Sequence, residues 1–247
     1  MKKIKVLIPA GGSGTRFNNS EFVNLKPFIY IHGKTMFEWI IIGFKSKKYE
    51  VSYDIIIRLE FKEQYDKEIK HLEKTYNVKF HFINLTTEGT TATALFLYDE
   101  LNNNDSLMIA NCDQIIDIDF DDYLEKHFEE KETDGSVLVF DKETENKWSF
   151  VEVNEKMIVK RIVAKEAISD LAISGWYFWT KSSDFIKYGV SQIINLDKVN
   201  GEYYLCPVFN YAIKENKVIK AIQINKSQMH GVGTPEDLKK YLELKQL

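Results

Sequence analysis

The chain predicts a three-layer, doubly wound α/β fold with a mostly parallel sheet and a small antiparallel addition. Three observations carry this. Up to Asp113, apolar strand-like runs alternate with amphipathic helical patterns, the rhythm of βαβ units. The first run, Lys3 to Ala10, is almost continuously apolar, as suits a strand buried on both faces. After Asp113 the spacing changes to short strand-like runs separated by polar turns.

Taken in order, Lys3 to Ala10 leads straight into Gly11-Gly12-Ser13-Gly14, a turn signal. A helix is predicted near Thr35 to Lys47, with Met36, Trp39, Ile40 and Gly43/Phe44 on one stripe. Tyr53 to Leu59 reads as the second strand, and the helix after it presents Phe61, Tyr65, Ile69, Leu72 and Tyr76. Val78 to Leu85 is a third strand, and a helix from about Thr90 to Leu101 leads into a fourth, Ser106 to Ala110. Gly135 to Phe140, Ser149 to Val153 and Met157 to Ala164 predict the antiparallel addition. Leu171 to Trp179 and Val218 to Ile224 complete the strands of a β-rich second half. Thr234-Pro235-Glu236-Asp237 opens a final helix, with Thr as N-cap and Pro in the first turn.

Composition narrows the function classes. The chain has 247 residues, 44% of them hydrophobic and 13% aromatic, enough for a substantial core. Gly and Pro are few, 12 and 4, which excludes collagen-like and linker-dominated chains. A net charge of −4 argues against a general nucleic-acid binder, whose affinity rests on neutralising phosphates. Cys112 and Cys206 make no disulfide scaffold and lack metal-ligand spacing. The apolar run Val6 to Ala10 is too short for a signal peptide, and Phe37 to Phe44 falls far below a membrane span of about 20 residues. A cytoplasmic protein with no membrane partner is expected.

The chemistry concentrates in Gly11-Gly12-Ser13-Gly14-Thr15-Arg16-Phe17, followed by Lys26-Pro27. Glycines let the backbone turn tightly and aim several N–H groups at one anion, such as a nucleoside triphosphate. Arg16 adds a planar, permanently charged fork and Lys26 a mobile point charge. Two other phosphate loops fail. A Walker A loop closes on Gly-Lys-Ser/Thr, whereas Gly14 is followed by Thr15-Arg16. The dinucleotide fingerprint needs a small residue where Phe17 stands. The plain alternative is an ordinary glycine turn after a strand.

Ile8 to Phe17 with Lys26-Pro27 resembles the signature of the sugar nucleotidyltransferases, or nucleoside-diphosphate-sugar pyrophosphorylases. The resemblance continues in order through Glu88-Gly89-Thr90, Ala110-Asn111-Cys112-Asp113, Ser174-Gly175-Trp176-Tyr177 and Gly233-Thr234-Pro235-Glu236-Asp237-Leu238. It implies their Rossmann-like fold over 1–247 as one domain, with 1–115 holding the nucleotide and 116–247 the acceptor. It also implies an NTP and a phosphorylated small molecule, commonly a sugar 1-phosphate, as partners, with pyrophosphate released; homo-oligomerisation stays open. By this analogy Arg16 holds the leaving pyrophosphate and Lys26 the reacting phosphate. Ala10, Gly11, Gly12, Ser13, Gly14, Thr15, Thr86, Glu88 and Gly89 surround the nucleotide, and Asp113, Lys165 and Gly175 the acceptor; Glu202 reads either as a loop residue reaching the acceptor or as a solvated loop carboxylate. A phosphate monoester is mostly ionised at pH 7, so no general base is required. Catalysis reduces to alignment and charge neutralisation.

Asp113 follows the fourth predicted strand, at the sheet edge where ligands collect, and is assigned Mg²⁺. The plain alternative is a loop Asp capping a helix. Two positions depart from the family pattern. Gly231 stands where the second metal carboxylate is expected, in Gly231-Val232-Gly233-Thr234-Pro235, leaving Asp113 alone or with Asp117 or Asp119. Ala164-Lys165-Glu166 stands in place of Glu-Lys-Pro, keeping a lysine for an acceptor phosphate but losing the carboxylate for sugar hydroxyls. This points to an unusual sugar phosphate or to an acceptor that is no sugar. His230 reads best as a hydrogen-bonded surface residue, and Trp176 to Trp179 as buried strand. Two competing readings remain: a nucleotide-sugar-dependent glycosyltransferase using Asp117-Ile118-Asp119, and a non-catalytic sensor, favoured by Gly231.

Overall fold

The computed structural model describes residues 2–12, 17, 22, 24–129, 132–141 and 143–244. The apolar run at the start forms β1 (Lys3–Ala10). A single 3-10 turn at Lys26–Phe28, with Pro27 in its first turn, precedes a small ribbon of β2 (Tyr30–Ile31) and β3 (Lys34–Thr35). There follow α1 (Met36–Ile42), β4 (Glu50–Arg58), α2 (Asp66–Tyr76) and β5 (Val78–Ile83). Next come α3 (Thr90–Ala94), α4 (Tyr98–Leu101), β6 (Ser106–Ala110) and β7 (Gln114–Ile116). The remaining chain begins with α5 (Phe120–Phe128), β8 (Gly135–Phe140), β9 (Ser149–Val153), β10 (Val159–Ala164) and β11 (Ala172–Trp179). It closes with α6 (Ser182–Ile194), α7 (Val208–Lys214), β12 (Ile219–Ile224), β13 (Met229–Gly231) and α8 (Pro235–Leu244).

The central sheet runs β5-β4-β1-β6-β11-β8-β12. β1, β4, β5 and β6 are mutually parallel. β11 lies antiparallel to both β6 and β8, while β12 is parallel to β8, so β11 is the reversed strand in this row. The fold is thus the mostly parallel α/β sheet that the sequence predicts. The antiparallel addition is the β9–β10 hairpin, joined to the start of β11 through Ala172 and Phe150. β11 bulges between Ile173 and Tyr177, where Gly175 takes a φ of 86°.

Alternation along the strands creates two cores. Ile4, Val6 and Ile8 of β1 face α1, α2 and α5 through Phe37, Leu72 and Leu124. Leu7, with Ile56 and Ile109 of the neighbouring strands, faces α4, α6 and α7 through Leu101, Phe185 and Phe209. These are the three layers. Packing helices on both faces is what makes the central strands apolar at successive positions.

Local details differ from the sequence reading. The helix predicted to Lys47 stops at Ile42, with Gly43 as C-cap; its start is fixed by a Thr35–Glu38 capping box. The helix predicted over Thr90 to Leu101 breaks into α3, a 3-10 turn at Leu95–Leu97, and α4. The second half carries the strands β8 to β13 and, beside them, the helices α5 to α8. In α5, Asp119 Oδ1 accepts the Asp121 N–H at 2.8 Å, and Phe120, Tyr123, Leu124 and His127 form a buried stripe at helical spacing.

Candidate active site

The carboxyl ends of β1 and β6 open onto a cavity of about 650 Å³. One wall comes from Pro9, Gly12 and Lys26, with Thr90 at the start of α3. The facing wall comes from Asn111 to Gln114, from Trp148 and Lys165 beside the hairpin, and from Glu202 and Tyr204. Gly231, Gly233, Thr234 and Asp237 close the end near α8. No histidine lines the cavity among the described residues.

Lys26 and Asp113, 87 residues apart, meet here. Lys26 Nζ lies 2.8 Å from Asp113 Oδ2, and both side chains are largely shielded, 15% and 13% exposed. The 3-10 turn at Lys26–Phe28 points Lys26 back at the sheet edge, anchored by buried Pro27 and Phe28. Asp113 is positioned by its main chain, whose carbonyl accepts the Val232 N–H at 2.9 Å. A Cβ at Gly233 would stand 2.7 Å from Asp113 Oδ2, so the glycine is what lets the chain pass this carboxylate. The neighbouring Cys112 thiol is pushed up by burial and Tyr177 well above the usual tyrosine range for the same reason, so both stay protonated at neutral pH.

The other predicted residues are placed as follows. Ala10 ends β1, half-buried, and Gly11 is buried under Ile83 and Thr93. Ser13, Gly14, Thr15 and Arg16 lie outside the described residues. Thr86 Oγ1 accepts from Arg58 at 3.1 Å, and Glu88 pairs with Lys198 at 2.8 Å, both away from the cavity lining. Gly89, at φ 121° and ψ 172°, adopts a backbone that a side chain strongly disfavours. Glu88 and Tyr203 share a main-chain bond of 2.7 Å, and Thr91 donates to the Tyr203 carbonyl at 3.0 Å, so the loop before α3 is tied to the loop after α6. Lys165 reaches the Lys147 carbonyl and stands 5.4 Å from the Tyr204 ring centre. Gly175 is not in the lining; Gln114 and Asn111 fill the space beside it. Glu202 reaches the cavity from its loop.

A carboxylate at Gly231 would need a neighbouring ring to give way. A Cβ there would sit 3.2 Å from the Trp148 ring, which covers this position. Asp117 and Asp119 do not substitute, because they line a separate cleft. Asp117 pairs with His230 at 2.9 Å, making His230 the hydrogen-bonded residue expected of it, and Asp119 caps α5. The Asp-x-Asp run is therefore spent on local structure. Asp54, His81 and Glu100 bring ligand atoms within 4.8 Å of one another elsewhere on the sheet, and none of the three lines the cavity.

Sequence reasoning missed Gln114, Trp148, Tyr204 and Asp237, which line the cavity from four separate segments. Of these only Asp237 carried a signal, its place in the predicted final helix. Among the described residues no helix is long and apolar enough to cross a membrane.

A family model described as nucleotidyl transferase matches residues 5–243. The chain is 22% identical over 240 residues to the bifunctional protein GlmU of Campylobacter fetus subsp. fetus, covering 94% of this chain. It spans about half that relative's length, 51%. Its fold is similar to a nucleoside-diphosphate-sugar pyrophosphorylase from Vibrio cholerae RC9, with a TM-score of 0.77 and 21% identity over 96% of this chain and 99% of the other. It is also similar to a CTP:phosphocholine cytidylyltransferase from Streptococcus pneumoniae, with a TM-score of 0.76 and 18% identity over 99% and 100% of the two chains.

Proposed function

Since this chain belongs to the nucleotidyl transferase family, we propose that it joins an NTP to a phosphorylated small-molecule acceptor with release of pyrophosphate. The observation that carries this reading is the Lys26–Asp113 pair, on a cavity that Gly12 also lines and that no histidine lines among the described residues. An acceptor phosphate oxygen attacks the α-phosphorus in line; the bond from that phosphorus to the β-bridging oxygen breaks, and pyrophosphate leaves with its electron pair. The nucleophile is already ionised, so the protein has only to align the two substrates and neutralise their charge. Residues 1–115 hold the nucleotide and 116–247 the acceptor. Arg16 receives the leaving pyrophosphate, Lys26 the reacting phosphate, and Lys165 and Glu202 the acceptor.

Mg²⁺ fits these residues. Asp113 offers a hard oxygen on the cavity wall, in a space kept open because Gly233 has no Cβ. Magnesium is held by one or two carboxylates together with substrate phosphates, so Trp148 over Gly231 does not preclude it. When bound, it would offset the negative charge of the phosphates.

The structure from S. pneumoniae is of a phosphocholine cytidylyltransferase and that from V. cholerae of a nucleoside-diphosphate-sugar pyrophosphorylase, in line with an acceptor here that is a sugar 1-phosphate or a smaller phosphorylated alcohol. A pyrophosphate-release screen crossing four NTPs with phosphorylated sugars and small alcohols tests the reading. Release that requires the acceptor supports it. Tight NTP binding without release would favour a sensor, and NDP release from a nucleotide-sugar would favour a glycosyltransferase.

A further inference from the structure

A carboxylate set in an apolar layer costs desolvation unless charge or hydrogen bonds compensate it. Asp54 is such a group. It is 3% exposed and lies beside Leu7 and Ile56 on the sheet face that α4 covers. His81, in register with Ile56 on β5, brings Nε2 to 2.6 Å from Asp54 Oδ1. Glu100 reaches the same point from α4, and the ligand atoms of Asp54, His81 and Glu100 all lie within 4.8 Å of one another. Among the described residues no other group of three His, Cys, Asp or Glu side chains meets so closely. Two lysines share the carboxylates. Lys5 Nζ is 3.3 Å from Asp54 Oδ2 and 4.0 Å from Glu100, and Lys79 Nζ is 3.0 Å from Glu100. A cleft of about 550 Å³, lined by Lys5, Asp54 and Lys79, opens here among the first residues of β4 and β5, away from the candidate active site.

We infer that Asp54, His81 and Glu100 form a structural site for a divalent transition metal, zinc by preference, which braces α4 against β4 and β5. An imidazole with two carboxylates is a zinc-type donor set, whereas magnesium favours oxygen alone. Tetrahedral ligands of zinc stand about 3.3 Å from one another. The three donors bracket that spacing, from 2.6 Å between Asp54 and His81 to the 4.8 Å limit of the group. A neutral imidazole can carry its proton on Nδ1, which leaves the Nε2 lone pair for the metal. The two carboxylates match the ion's charge. Lys79, with 62% of its side chain exposed, is released to solvent as Glu100 turns to the metal. Lys5 stays on Asp54 Oδ2, the outer partner that orients a ligating carboxylate. None of the residues proposed for nucleotidyl transfer takes part, so the inference stands apart from that reading.

The experiment uses the full chain with Asp113→Asn, which removes the carboxylate assigned to Mg²⁺. The protein is stripped with a chelator and titrated with Zn²⁺ by calorimetry. It should bind zinc, and Glu100→Gln or His81→Gln, each added to that background, should weaken the binding at least about tenfold. Lys79→Ala removes an ammonium that competes for Glu100 and should tighten it. Thermal unfolding supplies a second readout. Zn²⁺ at about a hundred times its Kd should raise Tm by about 5 °C or more, and Glu100→Gln should lose that rise. The Glu100 side chain is 40% exposed, so its variant keeps the fold and decides the matter should His81→Gln fail to fold. Absence of zinc uptake, unchanged affinity in either ligand variant, or binding no tighter in Lys79→Ala would overturn the inference.

Discussion

Lys26 and Asp113 face each other across 2.8 Å at the carboxyl edge of the sheet, both side chains largely shielded from solvent. Removing either one alters both the electrostatics of the cavity and the position of its neighbour. Lys26→Ala and Asp113→Asn are each expected to lower kcat for pyrophosphate release by roughly 100-fold or more, the cost of losing a preorganised charge. Steady-state kinetics on the acceptor-dependent reaction checks this. A near-normal rate in either variant removes that residue from the role proposed for it.

Restoring a carboxylate at Gly231 should harm the fold before it helps any metal. A Cβ there meets the Trp148 ring at 3.2 Å, so Gly231→Asp forces the indole aside at a cost of about 1–3 kcal/mol. The same substitution in a Trp148→Ala background should cost less, because the obstructing ring is gone. A double-mutant cycle from urea unfolding measures the coupling. Simple additivity would show that the two positions do not share this space.

Gly89→Ala is expected to be severe. Its φ of 121° lies where an L side chain is strained, and the added Cβ would come within 2.4 Å of the Tyr203 main-chain nitrogen and 2.5 Å of its carbonyl oxygen. At least about 2 kcal/mol of stability should be lost. Equilibrium denaturation reads the loss, and a raised KM for the nucleotide should accompany it.

His127 is buried between Ser136 Oγ and Thr180 Oγ1, each at 2.9 Å, and burial with nearby Lys2 and Lys220 pushes its pKa down to about 3. The unfolded chain takes up this proton near pH 6.5, but the folded one does not until about pH 3. The native state therefore binds fewer protons in that window. His127 contributes its full stability above pH 6.5 and loses it as the pH falls toward 3, by up to about 1.4 kcal/mol per unit. In His127→Phe, Ser136 keeps Tyr123 and Thr180 keeps the Thr133 carbonyl as partners. The acid limb of its Tm-against-pH curve should be visibly shallower than that of the unmodified protein. Parallel curves would exclude His127 as a source of the acid sensitivity.

What the sequence conveyed was largely what is local. Lys3 to Ala10 announces a central strand because burial on both faces demands successive apolar residues, and Thr234 announces α8 because its hydroxyl accepts the Asp237 N–H at 3.1 Å. Asp119 was ambiguous, since a carboxylate before a helix serves as a cap or as a ligand with the same residue type. Its contact with Asp121 settles it as a cap. The stripe of Phe185, Ile186 and Gly189 in α6 carried a helical signal that the strand reading of this half obscured. The cavity wall was less legible. Gln114 follows Asp113 and Tyr204 stands two places after Glu202, but the sequence around Trp148 marks nothing, and only the fold brings it to the other two.

The tie between Glu88, Thr91 and Tyr203 bears on how such a chain can diverge. Two stretches more than a hundred residues apart are laced through peptide groups rather than side chains, so substitutions slip through while changes in length do not. A residue inserted on one rim would drag the other out of line. New chemistries on this scaffold are then expected to arise by exchanging side chains around a rim of fixed length, as the indole above Gly231 illustrates.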